Sequence, residues 1–154
     1  MMQEIDTLDL LDWMARGLAY WMESRESSVE LADADARRGY WYVATPYTLY
    51  PYGVEAAFKE ACRAAAWLIL HGVSVLCPIV EGHPIAQHGG LDPLDQDAWW
   101  HNNRPKIEAA IGIVICKMES WRDSAGILWE RDLFRDAGKP VVYLEWPEGR
   151  LTKE

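Results

Sequence analysis

Cysteine is scarce: Cys62, Cys77 and Cys116 are the only three in 154 residues. Each sits in an apolar run without metal-ligand spacing, and their odd number fits reduced, buried thiols better than a disulfide framework. No apolar run approaches the ~20 residues needed to span a bilayer. The acidic start also lacks the basic segment of a signal peptide, so a cytoplasmic chain with no membrane partner is expected. Positive charge is short as well. With 15 Lys and Arg against 24 Asp and Glu, the formal net charge is −9 and the sequence pI about 4.9. That balance argues against a surface for the nucleic-acid backbone, although small anions can still bind at helix N-termini.

What is present is a globular composition, 50% hydrophobic and 25% charged, of a length that suits one domain with a real core. Nine Trp is unusual for such a length, and Trp99-Trp100, Trp121 and Trp146 fall at apparent element ends, where aromatics often line pockets or interfaces. Residues 6–24 carry Leu8, Leu11, Ala15, Leu18 and Met22 at helical spacing, widened by Trp13, Met14 and Trp21. We therefore read 1–38 as an amphipathic helix followed by a polar linker, and 39–154 as the main domain. A helix with so wide an apolar face must be covered, either by a second copy in a homo-oligomer or by its own sheet.

Within the domain, Tyr40 to Thr45, Val73 to Cys77, Ile111 to Cys116 and Pro140 to Leu144 read as strands, and 54–71 and 124–137 as helices. Residues 79–94 read as a long Gly-, Pro- and His-containing loop, 95–103 as helical, and Pro105 as the start of a further turn. Apolar strands alternating with helices predict a Rossmann-like (flavodoxin-like) doubly wound parallel sheet of four or five strands, with an N-terminal helical extension. In such sheets the ligand crevice lies beyond the carboxyl ends of the strands. Here that edge collects Pro46-Tyr47, the segment after Pro78, and Glu119 to Gly126.

One carboxylate is out of place. Helical spacing puts Glu130 on the same face as Ile127, Phe134 and Ala137, where an ionised group needs a partner such as Arg131 or Arg135, or a cavity that uses it. Gly126, one turn earlier, leaves room above it, and Ser124 falls at the helix N-terminus, where a hydroxyl and free N–H groups suit a small anion as well as a plain cap. Asp123 could hydrogen-bond a ligand, handle a proton, or cap the helix. Tyr47 is a candidate pocket aromatic. His83, His88, Asp92, Asp95 and His101 crowd one region, but their spacing fits no zinc pattern and no metal is expected. His83 reads instead as pocket-lining or loop-fixing.

The run Tyr42-Val43-Ala44-Thr45-Pro46-Tyr47, together with Ser124-x-Gly126-x-x-x-Glu130 and Gly138-Lys139-Pro140-Val141-Val142, resembles the nucleoside 2-deoxyribosyltransferase superfamily over residues 40–144. A His-Pro pair at His83-Pro84, Trp100 and Trp121 resemble one uncharacterised branch of it most closely. The resemblance implies that Glu130 attacks the anomeric carbon of a nucleoside or nucleoside 5′-monophosphate without a cofactor. It implies Asp123 beside it, Tyr42, Pro46, Tyr47, His83, Trp100, Trp121, Ser124 and Gly126 around the substrate, and an oligomer. Ser two before the Gly resembles the monophosphate hydrolases, but their Gly-rich, Arg-containing phosphate loop is missing after the first strand, where an aromatic loop, Tyr47 to Tyr52, stands instead. Hydrolase and transferase therefore both stay open, with a non-catalytic nucleotide-binding or sensing module as the alternative. A flavodoxin-like redox protein is a weaker rival, since no Ser/Thr/Gly-rich phosphate loop follows the first strand.

Overall fold

The computed structural model describes residues 7–16 and 39–154. In chain order the elements are α1 (Thr7–Arg16), β1 (Trp41–Ala44), α2 (Val54–Leu70), β2 (Val75–Leu76), α3 (Pro78–Gly89), α4 (Gln96–Ala109), β3 (Gly112–Lys117), a 3₁₀ turn (Trp121–Asp123), α5 (Ala125–Asp136), β4 (Val141–Glu145) and β5 (Arg150–Lys153). They build one five-stranded sheet in the order β2-β1-β3-β4-β5. The first four strands run parallel, and β5 returns antiparallel to β4. The expected doubly wound α/β architecture is thus present, with one departure from an all-parallel sheet: the turn after Glu145 folds the chain straight back as an edge strand, a step that needs no crossover helix.

Alternation along the strands divides the core. Ile113 and Ile115 of β3 join Tyr42, Ile107, Ile127 and Phe134 on one face. Val114 and Cys116 join Val43, Ala61, Leu68 and Leu144 on the other. Period-two side-chain geometry makes each strand apolar on both sides, as a sheet covered by helices requires. Gly112 sits opposite Trp41 in the β1–β3 register, and a Cβ there would come within 2.4 Å of the Trp41 ring, so only glycine admits the indole.

The helix α1 packs on its own sheet. Leu10, Leu11 and Met14 are buried in the same cluster as Trp41, whose indole N–H donates to the Met14 carbonyl at 3.2 Å. Of the expected stripe, Leu11 and Met14 are thereby covered by the chain's own sheet, whereas Leu8 stays exposed. Leu18, Trp21 and Met22, and the expected linker, lie outside the described residues. Among the described residues no helix is long and apolar enough to cross a membrane.

Two expectations are corrected. Residues 78–89 form a helix rather than a loop. Pro78 occupies its first turn, where a missing N–H costs nothing, and Gly90 closes it in the left-handed conformation at φ 72°. The internal Pro84 removes one helical hydrogen bond, and Gly82 is buried where a Cβ would lie 3.2 Å from the Trp99 ring, so its small size serves helix packing and not a turn. Pro105 likewise starts nothing: it lies inside α4, which runs unbroken from its Asp95 cap to Ala109.

Candidate functional site

β1 has β2 on one side and β3 on the other, so strand order reverses there and the loops leaving β1 and β3 diverge. A cavity of about 530 Å³ opens at this point, lined by residues that follow β1, β2 and β3 at their carboxyl ends. Among them are Thr45, Tyr47, His83, Asp123, Ser124 and Glu130.

Glu130 is the group that burial affects most usefully. It keeps some contact with the cavity yet is closely surrounded by protein, and desolvation pushes its carboxyl up to about 7, against the opposing pull of one hydrogen bond. That bond comes from Tyr42, whose hydroxyl donates to Oε1 at 2.7 Å. Burial, with Glu130 beside it, raises the Tyr42 phenol well above its ordinary range, so it stays a donor. The arginines on the same helix are engaged elsewhere, Arg131 with Asp132 and Arg135 with Glu154. Ile127 and Phe134 are buried on the Glu130 face as expected, whereas Ala137 is exposed because α5 has already ended at Asp136.

The start of α5 forms another wall. Ser124 is the N-cap and its Oγ accepts from the Ile127 N–H at 3.4 Å, a long bond that leaves the hydroxyl free to donate. Gly126 faces open space: an added Cβ would meet only Ser124 Oγ, at 3.9 Å. Asp123, the last residue of the 3₁₀ turn, is exposed and also lines the cavity.

The wall after β1 carries a hydrogen-bonded chain. Tyr47 Oη lies 2.8 Å from His83 Nδ1, and His83 Nε2 lies 3.0 Å from Glu55 Oε2. His83 is buried, with its ring stacked on Phe58 at 4.4 Å and 14° between planes. The expected His83 thus both lines the pocket and fixes the β1 loop to α2.

Of the residues singled out in the sequence, Glu130, Asp123, Tyr47, His83, Ser124 and Gly126 meet at the cavity. Tyr42, Pro46, Trp100 and Trp121 do not line it. Tyr42 lies fully buried behind Glu130, to which it donates its hydrogen bond, and Pro46 is buried just after β1. Trp100 packs edge-on against Trp129 at 4.4 Å, and Trp121 packs against Tyr143 at 5.7 Å. The tryptophan at the pocket is Trp99, one position earlier, because the helical turn of α4 directs adjacent residues to different sides. Glu55, Thr45 and Asn103 also belong to the surroundings of the site without having stood out. Glu55 reads as an ordinary first-turn acid of α2, and Thr45 stands inside the Tyr42–Tyr47 run. In the His- and Asp-rich region, Asp92 accepts from the Leu94 N–H and Asp95 caps α4, so both serve local structure. Among the described residues no cluster of three or more His, Cys, Asp and Glu is placed to hold a metal ion.

Fold and cavity define an α/β protein with a cavity at the topological switch point and a half-buried carboxylate in its wall. Residues 39–146 match the family described as Domain of unknown function (DUF1937), and the chain belongs to that family. No curated protein matches the sequence.

Proposed function

We propose that the chain cleaves or transfers the N-glycosidic bond of a nucleoside or nucleoside 5′-monophosphate, with Glu130 as nucleophile. The observation that carries this reading is the carboxyl of Glu130, desolvated, oriented by the Tyr42 hydroxyl at 2.7 Å, and open to a cavity large enough for a nucleoside. Departure of a base from a sugar leaves an oxocarbenium-like centre, and an ionised carboxylate next to it bonds to carbon or stabilises the charge, as in retaining glycosidases. Tyr42 holds one oxygen, which leaves the second for attack. The likeness of Ser124-x-Gly126-x-x-x-Glu130 to the 2-deoxyribosyltransferase superfamily supports the same assignment. Gly126 then gives the sugar room, Ser124 and the free N–H groups at the start of α5 take the 5′ end, and Asp123 takes a sugar hydroxyl.

Water or a second base completes the cycle, which gives a hydrolase or a transferase without a cofactor. The test is a screen of nucleosides and their monophosphates for base release, run beside Glu130→Gln. The variant is expected to bind substrate and to lose turnover by several orders of magnitude, since an amide is a poor nucleophile. Turnover retained in Glu130→Gln refutes the nucleophile. Tight nucleotide binding with no base release by the native protein would make the chain a sensing module.

A further inference from the structure

The Tyr47–His83–Glu55 chain is more than a tether, because its two ends differ in surroundings. Glu55 keeps 57% of its side chain exposed and also pairs with Lys59 at 3.4 Å, so one end is in solvent. His83 in the middle is 7% exposed, held between the Phe58 ring and its two partners. Tyr47 at the other end lines the cavity that holds Glu130. A buried imidazole held by a carboxylate and bonded to a phenol in a pocket is an arrangement that lends a proton to a bound ligand and takes it back.

The bonding directions follow from the donors available. An ionised carboxylate only accepts, and the bond from His83 holds Glu55 below the usual carboxylate range, so Nε2 carries the proton of that contact. In the neutral imidazole Nδ1 is then an acceptor, and Tyr47 donates to it and turns an oxygen lone pair toward the cavity. In the imidazolium Nδ1–H donates to Tyr47, and the phenol proton points into the cavity instead. Burial raises the Tyr47 phenol, followed by the effect of Glu55, which keeps it protonated in both forms.

We infer that Tyr47, His83 and Glu55 form a proton relay, with the Tyr47 hydroxyl as the group that protonates the leaving base and later deprotonates the incoming water or base. The inference rests on the reading of Glu130 as the glycosyl nucleophile. In the first step Glu130 bonds to the anomeric carbon and the C–N bond breaks, its electron pair passing to the base nitrogen. That nitrogen takes the Tyr47 proton, and Tyr47 takes the Nδ1 proton of His83, which becomes neutral. In the second step water attacks the same carbon and the bond to Glu130 breaks, its pair returning to the carboxylate. The water proton passes to Tyr47, whose own proton returns to Nδ1. One water is consumed and the relay is restored. Glu55 and His83 are positioning residues here, and Tyr47 is the catalytic one.

In the first step the relay matters only when the leaving base needs a proton, whereas the second step uses it with either substrate, so the rate compared is that of base release in a single turnover. A purine methylated at N7 is cationic in the nucleoside and departs as a neutral molecule. The experiment therefore compares release of a neutral purine and of its N7-methylated counterpart, in the sugar form the native protein turns over, by the native protein, Tyr47→Phe, His83→Gln and Glu55→Gln. Tyr47→Phe and His83→Gln are expected to lower the single-turnover rate of base release from the neutral substrate by at least about 100-fold and from the methylated one by less than about tenfold. Glu55→Gln changes only an exposed side chain and folds regardless; it is expected to show the same selectivity with a smaller loss. Equal losses on both substrates, or an unchanged rate on the neutral one, overturn the relay and leave Glu130 as nucleophile. No release from either substrate by the native protein overturns the relay together with the glycosidic reading.

Discussion

Glu130 has a cost that is open to measurement without any substrate. Its carboxyl titrates near 7 in the folded protein against an ordinary value of 4.5. Below pH 4.5 both states are protonated and the group is neutral to stability. As pH rises from there toward 7 the unfolded chain ionises first, so the native state loses ground, and above 7 the loss is complete. At about 1.4 kcal/mol per pH unit this amounts to roughly 3 kcal/mol. Glu130→Gln keeps an acceptor for Tyr42 but cannot ionise, so it should exceed the native protein in stability by up to ~3 kcal/mol at pH 8 and match it at pH 4, as read by urea denaturation. Equal stability at both pH values would show that the carboxyl is not held neutral. The same titration predicts that, for a substrate whose base leaves without taking a proton, kcat/KM rises about tenfold per pH unit below 7 and levels off above it, because only the ionised form attacks. Glu130 was legible because a lone carboxylate interrupts an apolar helical stripe. Its partner was not, since Tyr42 lies 88 positions away and only strand pairing brings the two together.

Helices and strands show the same division between pattern and contact. α5 was readable from Ser124 to Gly138, since cap, stripe and terminator agree. α3 was not, because Gly82 and Pro84 punctuate it as they would a loop; in the fold Gly82 instead makes room for the Trp99 ring, a contact that no local rule contains. The β1–β3 pair depends on a similar fit. Gly112→Ala would drive a methyl into the Trp41 ring, and the strands cannot separate without losing their ladder. We expect a loss of about 1–3 kcal/mol in thermal or denaturant unfolding. A variant as stable as the native protein would mean that the indole can move aside.

Across the whole molecule, two helical layers and one sheet follow from strands that are apolar on both faces, and this much the alternation of elements made plain. Where α1 docks was not determined by its stripe, which demands a cover without naming it. Met14 resolves the question energetically as well as geometrically: its side chain is buried beside Val43 and Leu151, and its carbonyl receives the Trp41 indole. Met14→Ala should destabilise the domain by about 2–4 kcal/mol in a single cooperative transition. A change below 1 kcal/mol would separate α1 from the core. The position of α1 also bears on how the sheet ends. Every open sheet has two margins of unpaired backbone, and each invites another strand. Here β2 is only two residues long, and on β5 the Leu151 N–H is met by Thr7 Oγ1 of α1 at 3.4 Å. The helix that completes one layer of the core thus also occupies a growing margin of the sheet, and a chain deprived of it would expose an apolar face and an adhesive edge at the same place.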